Sequence, residues 1–120
     1  LPQSDKNFKF KGKKSSERYK ILNDAKLLES AGVFSIVLEC VETTLAKKVT
    51  NQITIPTIGI GASNNCDGQI LVLDDLMGLN STNVRFVKKY VDIRKHIKKA
   101  VFNYATDVKN KKFPSKKHSY

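Results

Sequence analysis

The chain has 120 residues, with 22 Lys and Arg against 11 Asp and Glu, and a formal net charge of +11 at pH 7. This length suits one small domain or part of a larger one, and no apolar run approaches the roughly 18 residues of a membrane-spanning helix. The two cysteines, Cys40 and Cys66, have neither metal-ligand spacing nor the density of a secreted disulfide scaffold, so we expect a cytoplasmic protein without a membrane partner.

The first half of the chain predicts a helix followed by a strand. Residues 1–16 show no sustained hydrophobic period and are predicted to be irregular. Residues 17–31 predict a helix that ends at Gly32, where a left-handed C-terminal cap belongs. The apolar face of this helix comprises Ile21, Leu22, Ala25, Leu28 and Ala31. Residues 33–41, "VFSIVLECV", predict a strand, and their near-continuous apolarity is typical of a parallel strand covered on both faces.

Glu39 places a charged carboxylate at the end of this otherwise apolar strand. Burying an ionised carboxylate without a partner is costly, so we expect Glu39 to lie where water or a ligand meets it.

The middle of the chain continues the alternation of helix and strand. Thr43 or Thr44 is predicted to cap a second helix that runs to about Gln52. The stretch "ITIPTIGIG" predicts a second strand with Pro56 at its beginning. The stretch "QILVLDDLMGL" is predicted to open with a third strand, and the connection "ASNNCDGQ" before it is too short for a full helix.

The last third of the chain is predicted to be helical and basic. Residues 84–90 predict a short helix, and the last long helix runs from about Asp92 to Lys109. Its apolar stripe comprises Ile93, Ile97, Ala100, Val101, Tyr104 and Val108. A basic tail at about 109–120 closes the chain.

This order of elements predicts an α/β fold with parallel strands. Three parallel strands alone leave two open edges and little covered core, whereas a complete (β/α)8 barrel needs about 250 residues. We therefore expect residues 1–120 to be the C-terminal portion of a single TIM-type (β/α)8 barrel domain, about strands 6–8 with their flanking helices. The absence of a methionine at position 1 agrees with that expectation.

Polar and small residues follow the predicted strands at the end where barrel enzymes carry their active sites. Glu39 ends the first strand, Gly59 and Gly61 end the second, and Asp74 with Asp75 ends the third. We expect the glutamate and the glycine-rich turn to form one edge of an active site.

At these residues the chain resembles the ketopantoate hydroxymethyltransferase family, in its C-terminal half. The resemblance rests on "AGVFSIVLECV", "LAKKVTNQITIPTIGIGAS", "CDGQILVLDDLMGL", "RFVKKY" and "FPSKKHSY", and covers essentially all of the chain. The order "LEC", "IPTIGIGA", "DGQILV" is specific, although each stretch alone would be weak. Three features depart from the family pattern: Ser63 stands where glycine is usual, Asp74 stands where histidine is frequent, and the family's Gly-Gly is missing around Asn7-Phe8.

The resemblance implies a reaction and a role for one residue. The family transfers a one-carbon unit from 5,10-methylenetetrahydrofolate to 3-methyl-2-oxobutanoate, giving 2-dehydropantoate for pantothenate and coenzyme A synthesis. By match to "LEC", Glu39 is the proton acceptor that generates the enolate. The resemblance also implies a magnesium ion on the oxo acid and assembly as a homodecamer.

The remaining site residues of the family come from strands upstream of Leu1. The resemblance therefore gives this chain no metal ligand and no cofactor-binding residue, and it implies that the fragment alone is inactive.

Several other residues have simpler structural interpretations. The "GIGAS" turn is expected to shape the substrate pocket by packing, and Cys40 and Cys66 to be buried and inert. We expect His96 to be solvated, His118 to make a structural contact in the tail, and Asp67 to bond nearby backbone N–H groups.

The high positive charge leaves a second class of function open. A barrel remnant that has lost catalysis could act as a basic protein that binds nucleic acid or an acidic partner. The basic residues are mostly Lys and are spread along predicted helix faces, without the aromatic and basic interleaving of an RNA-binding strand. The sequence therefore favours a solvated lysine-rich surface and no nucleic-acid partner.

Overall fold

The computed structural model describes residues 9–81 and 84–120, so predictions for residues 1–8 lie outside the described residues. Among the described residues, 9–72 with 84–88 form one compact unit, unit 1, and 73–81 with 89–120 form a second, unit 2. The elements in chain order are α1 (Ser15–Ser30), β1 (Ile36–Glu39), α2 (Thr43–Gln52), β2 (Thr57–Ile60), β3 (Gly68–Gln69), α3 (Leu73–Leu76), α4 (Ile93–Lys109) and a 3-10 turn (Lys116–His118).

Unit 1 is built on a parallel sheet with strand order β1-β2-β3, as the sequence predicts. In the β1–β2 register Ile36 lies opposite Thr57 and Glu39 opposite Ile60. Helix α2 connects β1 to β2, and a loop without a helix connects β2 to β3.

The expectation that the first strand is covered on both faces is wrong for the described residues. Ile36 and Leu38 are buried, while Val37 is 54% exposed and Glu39 is exposed. Successive side chains of a strand point to opposite faces, so α1 and α2 cover one face of β1 and leave the other open. The apolar run therefore does not by itself mark a strand that is enclosed within this chain.

The core of unit 1 lies between β1 and α2. Leu45, Ala46 and Val49 of α2 are fully buried and cluster with Ile36 and Leu38. Fully burying a leucine or valine side chain contributes about 1.5–3 kcal/mol, so this helix holds most of the sheet's covered face in place.

Helix α1 packs less completely than its periodicity suggests. Ala25 is its one buried residue among the described side chains, and Ile21 and Leu22 pack against the core. Leu28, predicted on the same apolar face, is 44% exposed. The predicted C-terminal cap is confirmed, because Gly32 has a φ of +86°.

A buried polar group secures the beginning of β2. Thr57 is completely buried, and its hydroxyl lies 2.8 Å from that of Thr50. The Asp67 carboxylate accepts the Thr57 backbone N–H at 2.8 Å, as predicted for Asp67. These partners satisfy a hydroxyl that would otherwise be costly to bury.

The third strand and the following segment differ from prediction. Strand β3 ends at Gln69, after which Ile70 donates to the Gly59 carbonyl and the chain leaves the sheet. Asp74 and Asp75 lie in α3 rather than at a strand end, so that prediction is wrong. The predicted helix at 84–90 is also wrong, because one backbone bond from Val87 to Val84 closes only a turn there.

Unit 2 is helical. Its long helix α4 begins at Ile93, where the Asp92 carboxylate caps the helix by accepting the Lys95 N–H at 2.9 Å. The predicted apolar stripe of α4 is largely exposed in the structure, with Val101 at 61%. The Phe113 ring lies between Tyr104 and His118, and among the described residues no helix is long and apolar enough to cross a membrane.

Residues 9–14 run beside the end of β1, and Gly12 packs tightly there. Lys11 donates to the Cys40 carbonyl at 2.8 Å, and the Glu42 N–H donates back to the Lys11 carbonyl at 2.9 Å. Gly12 is buried with a φ of +87°, and a Cβ added to it would collide with the Leu45 side chain.

We predict that Gly12→Ala lowers the free energy of unfolding by more than Gly32→Ala. Both glycines have a left-handed φ, which costs an L-residue about 1–2 kcal/mol, but a Cβ at Gly32 meets only open space. The collision with buried Leu45 adds about 1–3 kcal/mol at Gly12 alone. Urea unfolding of both variants measures the difference, and equal losses would contradict the packing described here.

Candidate functional site

Glu39 is the last residue of β1, and its side chain is exposed. It lies on the sheet face that α1 and α2 do not cover, beside the open side chain of Val37. This position explains why a carboxylate can end an apolar strand, since the group is not buried at all. The expectation that Glu39 meets water or a ligand is confirmed in that respect.

The chain turns sharply immediately after Glu39. Cys40 is buried and adopts a φ of 51°, which is uncommon for a residue with a side chain. Its N–H donates to the Ile60 carbonyl at 3.0 Å, so the turn remains attached to the end of β2. Burial raises the pKa of the Cys40 thiol, and the neighbouring Glu39 carboxylate raises it further. Cys40 is thus a buried, neutral thiol, as predicted.

Glu42, and not Thr43 or Thr44, caps helix α2. Its carboxylate accepts the backbone N–H groups of Thr44 and Leu45, each at 3.0 Å. The Thr44 hydroxyl also donates to it at 2.6 Å. The sequence prediction was wrong because glutamate is not among the most favoured capping residues, and its length here allows it to reach back over the first turn.

Arg18 of α1 completes this arrangement, which we call the capping clamp (Arg18, Glu42, Thr44 and the Gly12 carbonyl). Its guanidinium donates to the Glu42 carboxylate at 2.8 Å, to the Gly12 carbonyl at 3.0 Å and to the Thr44 hydroxyl at 3.0 Å. The bonds from Thr44, followed by that from Arg18, lower the pKa of Glu42 to about 2. The clamp therefore fixes the start of α2, whose capping residue Glu42 lies three residues after Glu39. Nothing in the sequence pattern had identified Arg18 as part of this arrangement.

The glycine-rich turn after β2 is shaped by close packing, as predicted. Gly61 has a φ of +61°, and a Cβ there would lie only 2.7 Å from the Phe86 ring. The Gln69 amide donates to the Ser63 carbonyl at 2.6 Å and holds the turn against β3. Ser63 is buried, and its hydroxyl accepts the Asn65 N–H at 3.1 Å. Its φ is not positive, so a serine fits where the family usually has glycine.

A cavity of about 830 Å³ lies within unit 1 beyond the ends of β1 and β2. The glycine-rich turn and the first residues after β1 form one side of it, including Gly61 and Thr43. Phe10, Lys13, Arg85 and other residues form the remainder. Glu39 does not line this cavity, although it pairs with Ile60, the residue before Gly61.

The two strand ends expected to form one edge of an active site are neighbours in the sheet, whereas the third predicted strand end is absent from it. Glu39 and the glycine-rich turn are brought together by the β1–β2 register. Asp74 and Asp75 belong to α3 in unit 2, where the Asp75 carboxylate accepts the Asn80 amide at 2.8 Å.

The remaining candidate residues have structural surroundings. Cys66 is buried in the core cluster, and His96 is exposed on α4. His118 contacts the Ser115 hydroxyl at 2.9 Å within the tail, as predicted. Across residues 9–81 and 84–120, no group of three or more His, Cys, Asp or Glu side chains could hold a metal ion. The described residues thus do not form a metal site by themselves.

Comparisons with known proteins agree on one family. A family model described as "Ketopantoate hydroxymethyltransferase" matches residues 1–116. The chain is 62% identical over 120 residues to the 3-methyl-2-oxobutanoate hydroxymethyltransferase of Pelagibacter ubique, covering 100% of this chain and 47% of that protein. It is 51% identical over 113 residues to the 3-methyl-2-oxobutanoate hydroxymethyltransferase 2 of Zymomonas mobilis, covering 94% and 41%.

A third relative gives a similar result. The chain is 50% identical over 111 residues to the 3-methyl-2-oxobutanoate hydroxymethyltransferase of Sulfurisphaera tokodaii, covering 92% of this chain and 42% of that protein. The chain therefore spans about half the length of the curated relatives it matches.

The capping clamp predicts a specific loss of stability in acid. Because the folded state lowers the pKa of Glu42 from 4.5 to about 2, the ionised carboxylate stabilises the fold above pH 4.5. This contribution is lost as the pH falls from there through about 2, since the folded state must then bind the proton that the unfolded state already holds. We expect Glu42→Gln to remove that part of the pH dependence.

Urea unfolding at a series of pH values across this range measures the effect. Asp24→Asn, at an exposed carboxylate of α1 outside the clamp, is the control and should leave the profile close to that of the unchanged chain. An identical slope in the Glu42→Gln variant and the unchanged chain would contradict the role of the clamp.

Proposed function

The chain belongs to the ketopantoate hydroxymethyltransferase family, and on that premise we propose that it forms part of an enzyme of pantothenate synthesis. The reaction is transfer of a hydroxymethyl unit from 5,10-methylenetetrahydrofolate to 3-methyl-2-oxobutanoate, giving 2-dehydropantoate. The single observation that carries the proposal within this chain is the exposed Glu39 at the end of a parallel strand, next to a glycine-rich turn. The 62% identity to a relative named for this reaction favours the transferase over a basic binding protein.

The open face of the sheet supports a barrel for the whole enzyme. In a (β/α)8 barrel, helices cover the outer face of each strand and the inner face is filled by side chains from the other strands. Ile36 and Leu38 lie under α2, while Val37 and Glu39 are on the open face. We place that face toward the barrel interior, with this chain as the C-terminal portion.

Glu39 acts in this proposal as the proton acceptor. Its carboxylate removes the proton from C3 of the oxo acid, and the resulting enolate forms a bond to the one-carbon unit. Both bonds from that carbon to the folate nitrogens break, water supplies the hydroxyl group, and tetrahydrofolate leaves. A strand end gives the carboxylate a fixed position, because β1 is paired to β2 along its whole length and the following turn is attached to Ile60. A positioned base typically contributes about 10²–10⁴-fold to the rate.

The other components of the reaction are assigned outside this chain. The magnesium ion implied by the family would take its ligands from the part of the enzyme that this chain does not span. The 120 residues alone are proposed to be inactive. Cytoplasmic location and assembly as a decamer likewise belong to the proposal for the whole enzyme.

We predict that Glu39→Gln lowers kcat by about 10²–10⁴-fold, since glutamine keeps the size of the side chain but cannot accept the proton. The measurement uses a chimera in which this chain replaces the matching segment of the Pelagibacter ubique relative. Exchange of the C3 proton of the oxo acid with deuterated water, without folate, isolates the deprotonation step and should slow by a similar factor.

Asp24→Asn is the control, because Glu42 caps α2 and cannot serve as a neutral reference carboxylate. Wild-type exchange in the Glu39→Gln chimera would remove Glu39 from the role of base. Absence of transferase activity in the unsubstituted, folded chimera would instead refute the proposed function of the chain.

A further inference from the structure

The cavity beside the glycine-rich turn has no assigned ligand. Its volume of about 830 Å³ falls in the range of about 300–1,000 Å³ typical of sites for drug-sized molecules. The oxo acid is a branched five-carbon molecule that would leave most of this space empty. Of the two substrates in the proposed reaction, only the folate donor matches the cavity in size.

Two cations face the cavity without an acidic partner among the described residues. Lys13 and Arg85 both line it, and the ion pair recorded for the described residues joins Arg18 to Glu42. Glu42 is the acid on the cavity wall, and its carboxylate is already neutralised by Arg18 and bonded to the start of α2. The cavity is therefore net positive and suits a ligand with carboxylate groups.

Aromatic surface accompanies these charges. Phe10 and Phe86 both line the cavity, and the Arg85 guanidinium lies 6.0 Å from the centre of the Phe10 ring. Phe86 is held against Gly61, where a Cβ would not fit. Flat apolar surface next to a guanidinium is suited to a planar ring that carries an anionic tail.

The position of the cavity fits a donor that must reach the reacting carbon. Gly61 on its wall follows Ile60, and Ile60 pairs with Glu39 across the sheet. Neighbouring strands are about 4.8 Å apart and successive Cα atoms about 3.8 Å apart. Gly61 on the cavity wall is therefore separated from the proposed base by one strand spacing and one step along the chain.

We propose that this cavity binds the one-carbon donor, with the ring system against Phe10 and Phe86 and the glutamate carboxylates of the tail at Lys13 and Arg85. This inference rests on the proposed function, which supplies the identity of the donor. It gives Lys13 and Arg85 a role in recognising the folate substrate.

The test measures binding and kinetics separately in the chimera. Isothermal titration with 5-formyltetrahydrofolate, a chemically stable reduced folate, gives the Kd. Arg85→Gln and Lys13→Gln should each raise it by roughly 10- to 100-fold, the loss expected for a charge-assisted hydrogen bond. Arg94→Gln on α4 and Lys48→Gln on α2 remove the same charges outside the cavity and should leave it unchanged.

The kinetic arm compares the two substrates. Arg85→Gln should raise KM for 5,10-methylenetetrahydrofolate and leave KM for the oxo acid unchanged, and Arg85→Lys should recover part of the loss by restoring the charge. A raised KM for the oxo acid alone, or a lower melting temperature with unchanged folate binding, overturns the inference. If the chimera is active, those results leave the proposed function intact. If the unsubstituted chimera is inactive but still binds the folate through Arg85, the proposed function is refuted and the assignment of the cavity to the folate stands.

Discussion

Parallel pairing of β1 with β2 determines where Glu39 and the glycine-rich turn can lie. The register sets Glu39 opposite Ile60, so the two strands end at the same level. The chain then leaves both strands through residues of positive φ, Cys40 and Gly61. Parallel strands place their carboxyl ends at one edge of a sheet, and the carboxylate, the glycine-rich turn and the cavity are together because of that geometry.

The turn after Glu39 is held in an unfavourable backbone conformation by its surroundings. A left-handed φ costs a residue such as Cys40 about 1–2 kcal/mol. Hydrogen bonds from Cys40 to Ile60 and from Lys11 to Cys40 oppose that cost, and the capping clamp fixes Glu42 two residues later. Strain that is retained by several independent contacts is typical of positions where a functional side chain must be fixed.

The sequence predicted the order of the helices and strands better than it predicted which of their faces are buried. The first and last long helices and the first two strands lie close to their predicted positions, because apolar periodicity and Gly32 are local signals. Burial of β1 was overestimated, since an apolar run cannot show which of its faces this chain itself covers. The third strand was predicted too long because Ile70 and Val72 have strand-forming side chains, whereas pairing with β2 stops at Gln69 opposite Gly59, one residue before β2 itself ends.

Of the site, the sequence identified Glu39 and the glycine-rich turn but not the clamp or the charged cavity. Those features depend on residues far apart in the chain, such as Arg18 and Glu42 at a separation of 24 positions, and no local pattern reveals such pairs. Phe10 and Arg85 likewise meet only in the folded chain.

In the proposed enzyme, Glu39 faces the substrate from the open side of the sheet. A crystal structure of the chimera with 3-methyl-2-oxobutanoate bound measures this directly, as the distance from the nearest Glu39 carboxylate oxygen to C3 of the ligand. We predict a separation of about 3 Å, the reach needed for proton transfer. A bound oxo acid whose C3 lies on the far side of β1, or more than one water molecule away from that carboxylate, would contradict it.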